Sequence, residues 1–252
     1  MSTIDLNCDL GEGFGNYTAG PDASLLKYIS SCSIACGYHA GDPLIIQSNI
    51  KEALKRNISI GAHPSYPDRQ GFGRRSMSLN AKEYFAFVLY QVSAIKGMVE
   101  SQGGQLKHVK PHGALYNDAA SDEIITRNVY EAIASIDEGL CVYGLSNTAH
   151  EHVANKLGIP FISEAFADRK YHSDGTLVAR FNSAAILENT DEVIQQVMSL
   201  IHHQEVISIE GQKINIPAKT ICFHGDHPQT LPILKEVHKT LLEANIEIKL
   251  SI

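Results

Sequence analysis

Short runs of apolar and β-branched residues recur along the chain, and most are followed by a polar loop and then by a segment whose apolar positions return every three to four residues. The runs fit buried strands and the periodic segments fit amphipathic helices, so the chain reads as a repeated strand, loop, helix unit. Seven runs end at loops carrying Asp9-Leu10-Gly11-Glu12, Tyr38-His39-Ala40-Gly41-Asp42, His63-Pro64-Ser65, Lys110-Pro111-His112, Gly144-Leu145-Ser146, Glu164-Ala165-Phe166-Ala167-Asp168 and His224-Gly225-Asp226. Asp42 before Pro43 marks a helix start, because the carboxylate caps free N–H groups where proline has none to lose; the pattern Leu44, Ile45, Ile46, Ile50, Ala53, Leu54 then runs to Asn57. Further helices are expected near 80–100, 121–135, 148–157, 190–202 and 228–244. Val206 to Ile209 and Lys213 to Ile216 alternate with period two about Glu210-Gly211-Gln212, which predicts a hairpin ahead of the last strand.

Seven strands alternating with helices favour a closed or nearly closed parallel (β/α) barrel, since each crossover lays a helix on the outer face; a doubly wound open sheet is the alternative. At 252 residues the chain has length for one large α/β domain or two small ones, and with no Gly/Ser-rich linker or low-complexity tract a single domain over 1–252 is favoured.

Charge and cysteine content narrow the function classes. Acidic residues exceed basic ones by 28 to 21, a formal charge of −7, which leaves no basic stripe for a nucleic-acid backbone. The start, Met1-Ser2-Thr3-Ile4-Asp5, has no charged and apolar leader, and no window approaches a membrane span; a cytoplasmic protein without membrane contact is expected. Cys8, Cys32, Cys36, Cys141 and Cys222 are odd in number and mostly sit in apolar runs, which reads as reduced, buried thiols.

In a parallel barrel, functional side chains stand where strands end. Six of the seven run ends carry titratable groups: Asp9 and Glu12; His39 and Asp42; His63; Lys110 and His112; Glu164, Asp168 and Arg169; His224 and Asp226. A lone histidine at such a place usually satisfies a structural hydrogen bond. Four at equivalent points of separate units argue for convergence on one rim. The other eight, His108, His150, His152, His172, His202, His203, His227 and His238, read as exposed or helix-terminal. The rim suits either a divalent metal, with Asp9, His39 and His63 as candidate ligands, or metal-free acid/base catalysis. Lys110 repels a metal and suits a developing oxyanion or a phosphate. Gly71-Phe72-Gly73-Arg74-Arg75 offers an arginine pair to a carboxylate. No GxxxxGK[ST] loop, dinucleotide fingerprint or GxSxG elbow occurs, although glycines 11 to 15 have the composition of a backbone phosphate cradle.

Taken in order, Asp5-Leu6-Asn7-Cys8-Asp9-Leu10-Gly11-Glu12, Ala35-Cys36-Gly37-Tyr38-His39-Ala40-Gly41-Asp42-Pro43, Gly61-Ala62-His63-Pro64-Ser65-Tyr66-Pro67-Asp68, Gly71 to Arg75, His108-Val109-Lys110-Pro111-His112 through Tyr116, Glu164 to Tyr171 and Cys222-Phe223-His224-Gly225-Asp226 resemble the LamB/YcsF lactam-utilisation family across nearly the whole chain. The resemblance implies a seven-stranded barrel related to glycoside hydrolases and polysaccharide deacetylases, acting as the A component of an ATP-dependent 5-oxoprolinase. With subunits B and C it would convert 5-oxoproline, ATP and water to glutamate, ADP and phosphate, the ATP being engaged through the partners. It ranks Asp9, Glu12, His39, His63, Lys110 and His112 as catalytic candidates, and leaves Arg74, Arg75, His224 and Asp226 for substrate. The chain departs from the family pattern at Ala179, where Pro is usual, at Ser183-Ala184-Ala185, where Gly-Ala is expected, and at Phe223, where Val is usual. A stand-alone metal-dependent amide hydrolase or carbohydrate deacetylase, and a non-catalytic ligand-binding protein, are the rival readings.

Overall fold

Along β1 (Thr3–Leu10), Asp5, Asn7 and Asp9 alternate with Leu6, Cys8 and Leu10, and all six are buried. A strand of this kind needs a polar interior on one face and an apolar layer on the other. The computed structural model, which describes residues 2–17 and 19–250, provides both. After β1 come α1 (Asp22–Leu25), β2 (Ser31–Ala35), α2 (Pro43–Lys55), β3 (Ser59–His63), α3 (Ala81–Glu100), β4 (Leu106–Val109), α4 (Gly113–Ser121), α5 (Glu123–Ile136), β5 (Cys141–Gly144), α6 (Ala149–Leu157), β6 (Phe161–Phe166), α7 (Thr190–His203), β7 (Glu205–Ile207), β8 (Lys213–Asn215), β9 (Thr220–His224), α8 (Thr230–Glu243) and β10 (Glu247–Ile248). Strands β1 to β6 pair in sequence and in parallel, β6 pairs with β9, and β9 returns to β1 with Ile221 beside Leu6. The seven-stranded (β/α) barrel is therefore closed, and the open doubly wound sheet is excluded. The hairpin is β7 against β8, antiparallel, as its alternation predicts.

Polar layers fill the barrel. Asp5 accepts hydrogen bonds from Ser31 Oγ (2.7 Å) and Thr220 Oγ1 (2.6 Å); burial raises its pKa, and these hydroxyls oppose the rise. Asn7 donates to Glu164 Oε1 (3.0 Å) and Thr220 Oγ1 (2.8 Å). His108 belongs to this interior, which corrects its reading as an exposed residue: it is fully buried, stacked on Tyr143 at 4.0 Å, and burial lowers its pKa to about 3. Gly61 makes the room, since a Cβ there would meet the imidazole at 2.2 Å. His150, read as exposed or helix-terminal, stands in the first turn of α6 but is buried, between the Tyr130 hydroxyl (2.8 Å) and the Tyr116 carbonyl (3.0 Å).

The helices form the outer layer. Asp42 caps α2 through the N–H groups of Leu44 (2.9 Å) and Ile45 (3.0 Å), and Asn80 with Glu83 forms a reciprocal capping box on α3. Helix α3 buries Val88, Val92, Ile95 and Val99 and packs on α5; each side chain removed from water there contributes roughly 1.5–3 kcal/mol. The helix expected at 121–135 is α5, capped by Asp122, and an unexpected helix α4 precedes it directly behind Lys110-Pro111-His112. All five cysteines are free and buried, and among the described residues no helix is long and apolar enough to cross a membrane.

Candidate active site

Ten titratable side chains arrive at or just past the carboxyl ends of strands: Asp9 and Glu12 from β1, His39 from β2, His63 from β3, Lys110 and His112 from β4, Glu164 and Asp168 from β6, and His224 and Asp226 from β9. The six catalytic candidates come together. All are buried, so they form a floor beneath the mouth rather than an open rim.

Backbone carbonyls set the histidine tautomers. His63 Nδ1 donates to the Lys110 carbonyl (2.7 Å) and His112 Nε2 donates to the Phe72 carbonyl (2.8 Å). The remaining nitrogens, His63 Nε2 and His112 Nδ1, face each other at 3.0 Å. Two neutral rings would oppose two lone pairs, so this contact requires a proton or a metal ion between them. Burial, then the charges of His39 and His63, hold the His112 pKa well below its ordinary value, and His63 Nε2 lies 3.4 Å from Asp9 Oδ2. His39 stacks on His112 at 3.7 Å, and Gly73 permits the pair, because a Cβ there would lie 2.8 Å from His112 and 2.9 Å from His39.

Glu12 is the acid of the group. Ser65 Oγ donates to the Tyr66 carbonyl and so accepts from His39 Nδ1 (2.9 Å), leaving His39 Nε2 as an acceptor 3.1 Å from Glu12 Oε1. A protonated Glu12 completes that bond. Burial first, then the negative charges of Asp9 and Asp226, raise its pKa well above the carboxylate range. Asp9 goes the other way: burial alone would raise its pKa, but His63 and Lys110 hold it well below normal. Two carboxyl groups pushed apart in this manner have the opposite protonation states that an acid and a base require.

Lys110 Nζ lies 2.9 Å from Asp9 Oδ1, 2.9 Å from Glu164 Oε1, 3.0 Å from Cys222 Sγ and 3.3 Å from Asn7 Oδ1. Burial opposes its charge, but Asp9, Cys222 and Glu164 raise its pKa well above the usual ammonium value. An ammonium has three hydrogens, and all are engaged within the protein. Lys110 is thus the counter-ion of Asp9, not the free cation that its sequence context suggests.

Above this floor is a cavity of about 100 Å³ lined by Asp9, His63, Lys110 and His112 below and by Phe166, Tyr116, Asn117, Leu177, Arg74, Arg169, Arg180 and His224 around it. His224 donates through Nδ1 to Asp168 (2.8 Å), and Asp226 pairs with Arg74. Arg75 turns outward onto Asp68 and does not line the cavity. Sequence reasoning does not single out Glu164, Asp168, Arg169 or Arg180 as site residues; the first three stand in a run-end block, but Arg180 comes from a loop that carries no signal. The loop of glycines 11 to 15 has its Gly11 and Gly15 N–H groups already bonded to Asp22 (3.0 Å) and Asp42 (2.7 Å), which argues against a phosphate cradle there.

For metal ligation the structure groups residues differently from the Asp9, His39 and His63 set. Glu12, His63 and His112 present ligand atoms within 4.8 Å of one another, as do Asp9, Cys222 and His224. The first trio fits a divalent transition ion, because the lone pairs of His63 and His112 already converge and backbone carbonyls orient both rings. The second is the poorer fit, with Asp9 bound to Lys110 and the His224 Nδ1–H on Asp168.

Comparison with known proteins identifies the family and agrees with the barrel fold. The sequence model of the LamB/YcsF family matches residues 4–251. Proteins named as the A component of 5-oxoprolinase, from Bacillus mycoides and Bacillus cereus, are each 45% identical over 249 residues, 98% of either chain. The crystal structure of a lactam utilization protein from Thermus thermophilus superimposes with a TM-score of 0.93 at 33% identity, covering 99% of this chain and 100% of that one. A putative cellobiose-phosphate cleavage protein from Enterococcus faecalis shares the fold at a TM-score of 0.58 and 13% identity, over 98% and 96% of the two chains.

Proposed function

The chain belongs to the LamB/YcsF family, and on that premise we propose that it is the A component of an ATP-dependent 5-oxoprolinase, opening 5-oxoproline to L-glutamate as ATP becomes ADP and phosphate. The observation that carries this reading is the matched pair of buried carboxyl groups, Asp9 and Glu12, beneath a small cavity in a chain so similar to relatives of that name. At about 100 Å³ the cavity is well below the roughly 300–1,000 Å³ of drug-sized ligand sites, which suits a five-membered lactam and not a nucleotide.

An unactivated lactam has a poor leaving group. Partner subunits B and C would transfer the ATP γ-phosphoryl to the lactam oxygen. Water then adds to the ring carbon, the C–N bond breaks as nitrogen takes a proton, and a second water converts the resulting acyl phosphate to glutamate and phosphate. Asp9 accepts the proton of the attacking water, which His63 helps to orient. Glu12, whose Oε1 lies 3.1 Å from His39 Nε2 and 3.3 Å from His112 Nδ1, is the acid that supplies the proton for nitrogen. Lys110 keeps Asp9 ionised and in place. A divalent ion held by Glu12, His63 and His112 would supply Lewis-acid polarisation of a carbonyl, and that trio is what favours the second reading, a stand-alone metal-dependent amide hydrolase.

The test is glutamate formation by the reconstituted complex. Asp9→Asn and His63→Ala should each lower it by ~10²-fold or more while cooperative melting is retained. Near-normal turnover in both would remove these residues from the mechanism. Turnover by this chain alone, lost on chelation and indifferent to ATP, would establish the second reading instead.

A further inference from the structure

Arg169 and Arg180 take no part in the chemistry above, yet both line the cavity, and both come from the loop between β6 and α7. Arg169 is 4% exposed; its Nη2 donates to the Val178 carbonyl, its Nε has no acceptor, and no carboxylate forms an ion pair with it among the described residues. A buried guanidinium without a counter-ion is unfavourable unless something else neutralises it. Burial, then the neighbouring charge of Arg180, brings its pKa down to about 10.

The local carboxylates are committed elsewhere. Asp168 receives both the ring Nδ1–H and the backbone N–H of His224. Asp226 pairs with Arg74 and reaches Arg180 only at 3.9 Å. Asp9, the one carboxylate in the cavity lining, is neutralised by Lys110. Three guanidiniums, Arg74, Arg169 and Arg180, therefore stand against two carboxylates, Asp168 and Asp226, on one side of the cavity, an excess of one positive charge.

We infer that Arg169 and Arg180, together with Arg74, form an anion-binding wall that takes either the carboxylate of a lactam acid or the phosphoryl group of its activated form. The identity of that ligand rests on the proposed function; the excess of guanidinium charge does not. The wall turns the anionic end of the ligand toward the β6–α7 loop and leaves the ring carbonyl facing Asp9 and His63, with Leu177 and Phe166 against the ring.

The experiment is calorimetric titration of the full chain at low salt with 5-oxoproline, with 2-pyrrolidinone, which is the same ring without the carboxylate, and with inorganic phosphate. It compares the unaltered chain with Arg180→Gln and Arg169→Gln. Losing one charge-assisted contact should weaken anion binding about 10- to 100-fold and leave 2-pyrrolidinone unaffected. Arg180, partly exposed, carries the test if Arg169→Gln does not melt cooperatively. Weakening of 5-oxoproline alone assigns the wall to the carboxylate, and weakening of phosphate alone assigns it to the phosphoryl group. Anion binding that is undetectable in the unaltered chain, or unchanged in both variants, overturns the inference. If both lactams and phosphate bind normally in every variant, the lactam reading stands and the wall falls; if phosphate binding depends on the arginines while neither lactam binds, the reverse holds.

Discussion

Replacing Lys110 by Met removes one charge from the barrel interior and nearly preserves side-chain length. Asp9 and Glu164, each 2.9 Å from Nζ, then lose their counter-ion while remaining buried. Breaking a buried pair from one side is destabilising by about 3–5 kcal/mol. At roughly 2–4 °C per kcal/mol for a chain of this size, Tm should fall by about 6–20 °C at pH 8. The pH dependence distinguishes this cause from a packing defect. In the native protein the Asp9 pKa is depressed, so its contribution to stability is present above the normal carboxylate range and is lost as pH falls through the depressed value. Without Lys110, burial dominates and the Asp9 pKa rises. The deficit should then be largest at pH 8 and shrink toward pH 5 as Asp9 and Glu164 take up protons. Adding Asp9→Asn should restore part of the loss, so the double-mutant cycle should show clear coupling. Thermal melts of the four proteins at pH 5, 6, 7 and 8 provide the check. A deficit that is equal at every pH, or additive single effects, would refute the ion-pair assignment.

Glu12→Gln exchanges a neutral acid for a neutral amide, so stability at pH 7 should stay within about 1 kcal/mol while turnover drops ~10²-fold; a large stability loss would mean that Glu12 is ionised. Burial lowers the His150 pKa to about 4, so its neutral form contributes stability that is complete above pH 6.5 and is lost as pH falls toward 4, by at most about 3 kcal/mol. Stability measured from pH 7 to 4 should therefore decline less steeply in His150→Gln than in the unaltered chain, and equal slopes would contradict this.

Much of the fold is legible in the sequence because strand and helix periods differ and each crossover repeats them. The convergence of His39, His63, His112 and His224 is legible for the same reason, since strand ends fall at one end of a parallel barrel. Other features depend on contacts that no local pattern carries. His108 sits between the exposed Lys107 and the buried Val109, and only closure of the barrel around Tyr143 makes its side an interior one. The Lys110, Asp9 and Glu164 cluster joins three strands, so the lysine looks free until its neighbours are known. Arg74 and Arg75 are adjacent in sequence, and only the folded loop shows that one faces Asp226 and the other Asp68. Helix α4 escapes a sequence reading because Pro111-His112-Gly113 has the composition of a turn, although His112 serves as the N-cap and Gly113 begins the helix.

The central claim is that this chain opens a lactam only after its partners have activated it with ATP. Glutamate and phosphate release, measured together for the isolated chain and for the chain mixed with subunits B and C, tests this most directly. The isolated chain should release neither, and the mixture should release both in equal amounts. ATP-coupled release of both products by the isolated chain, or glutamate released without phosphate, would contradict it.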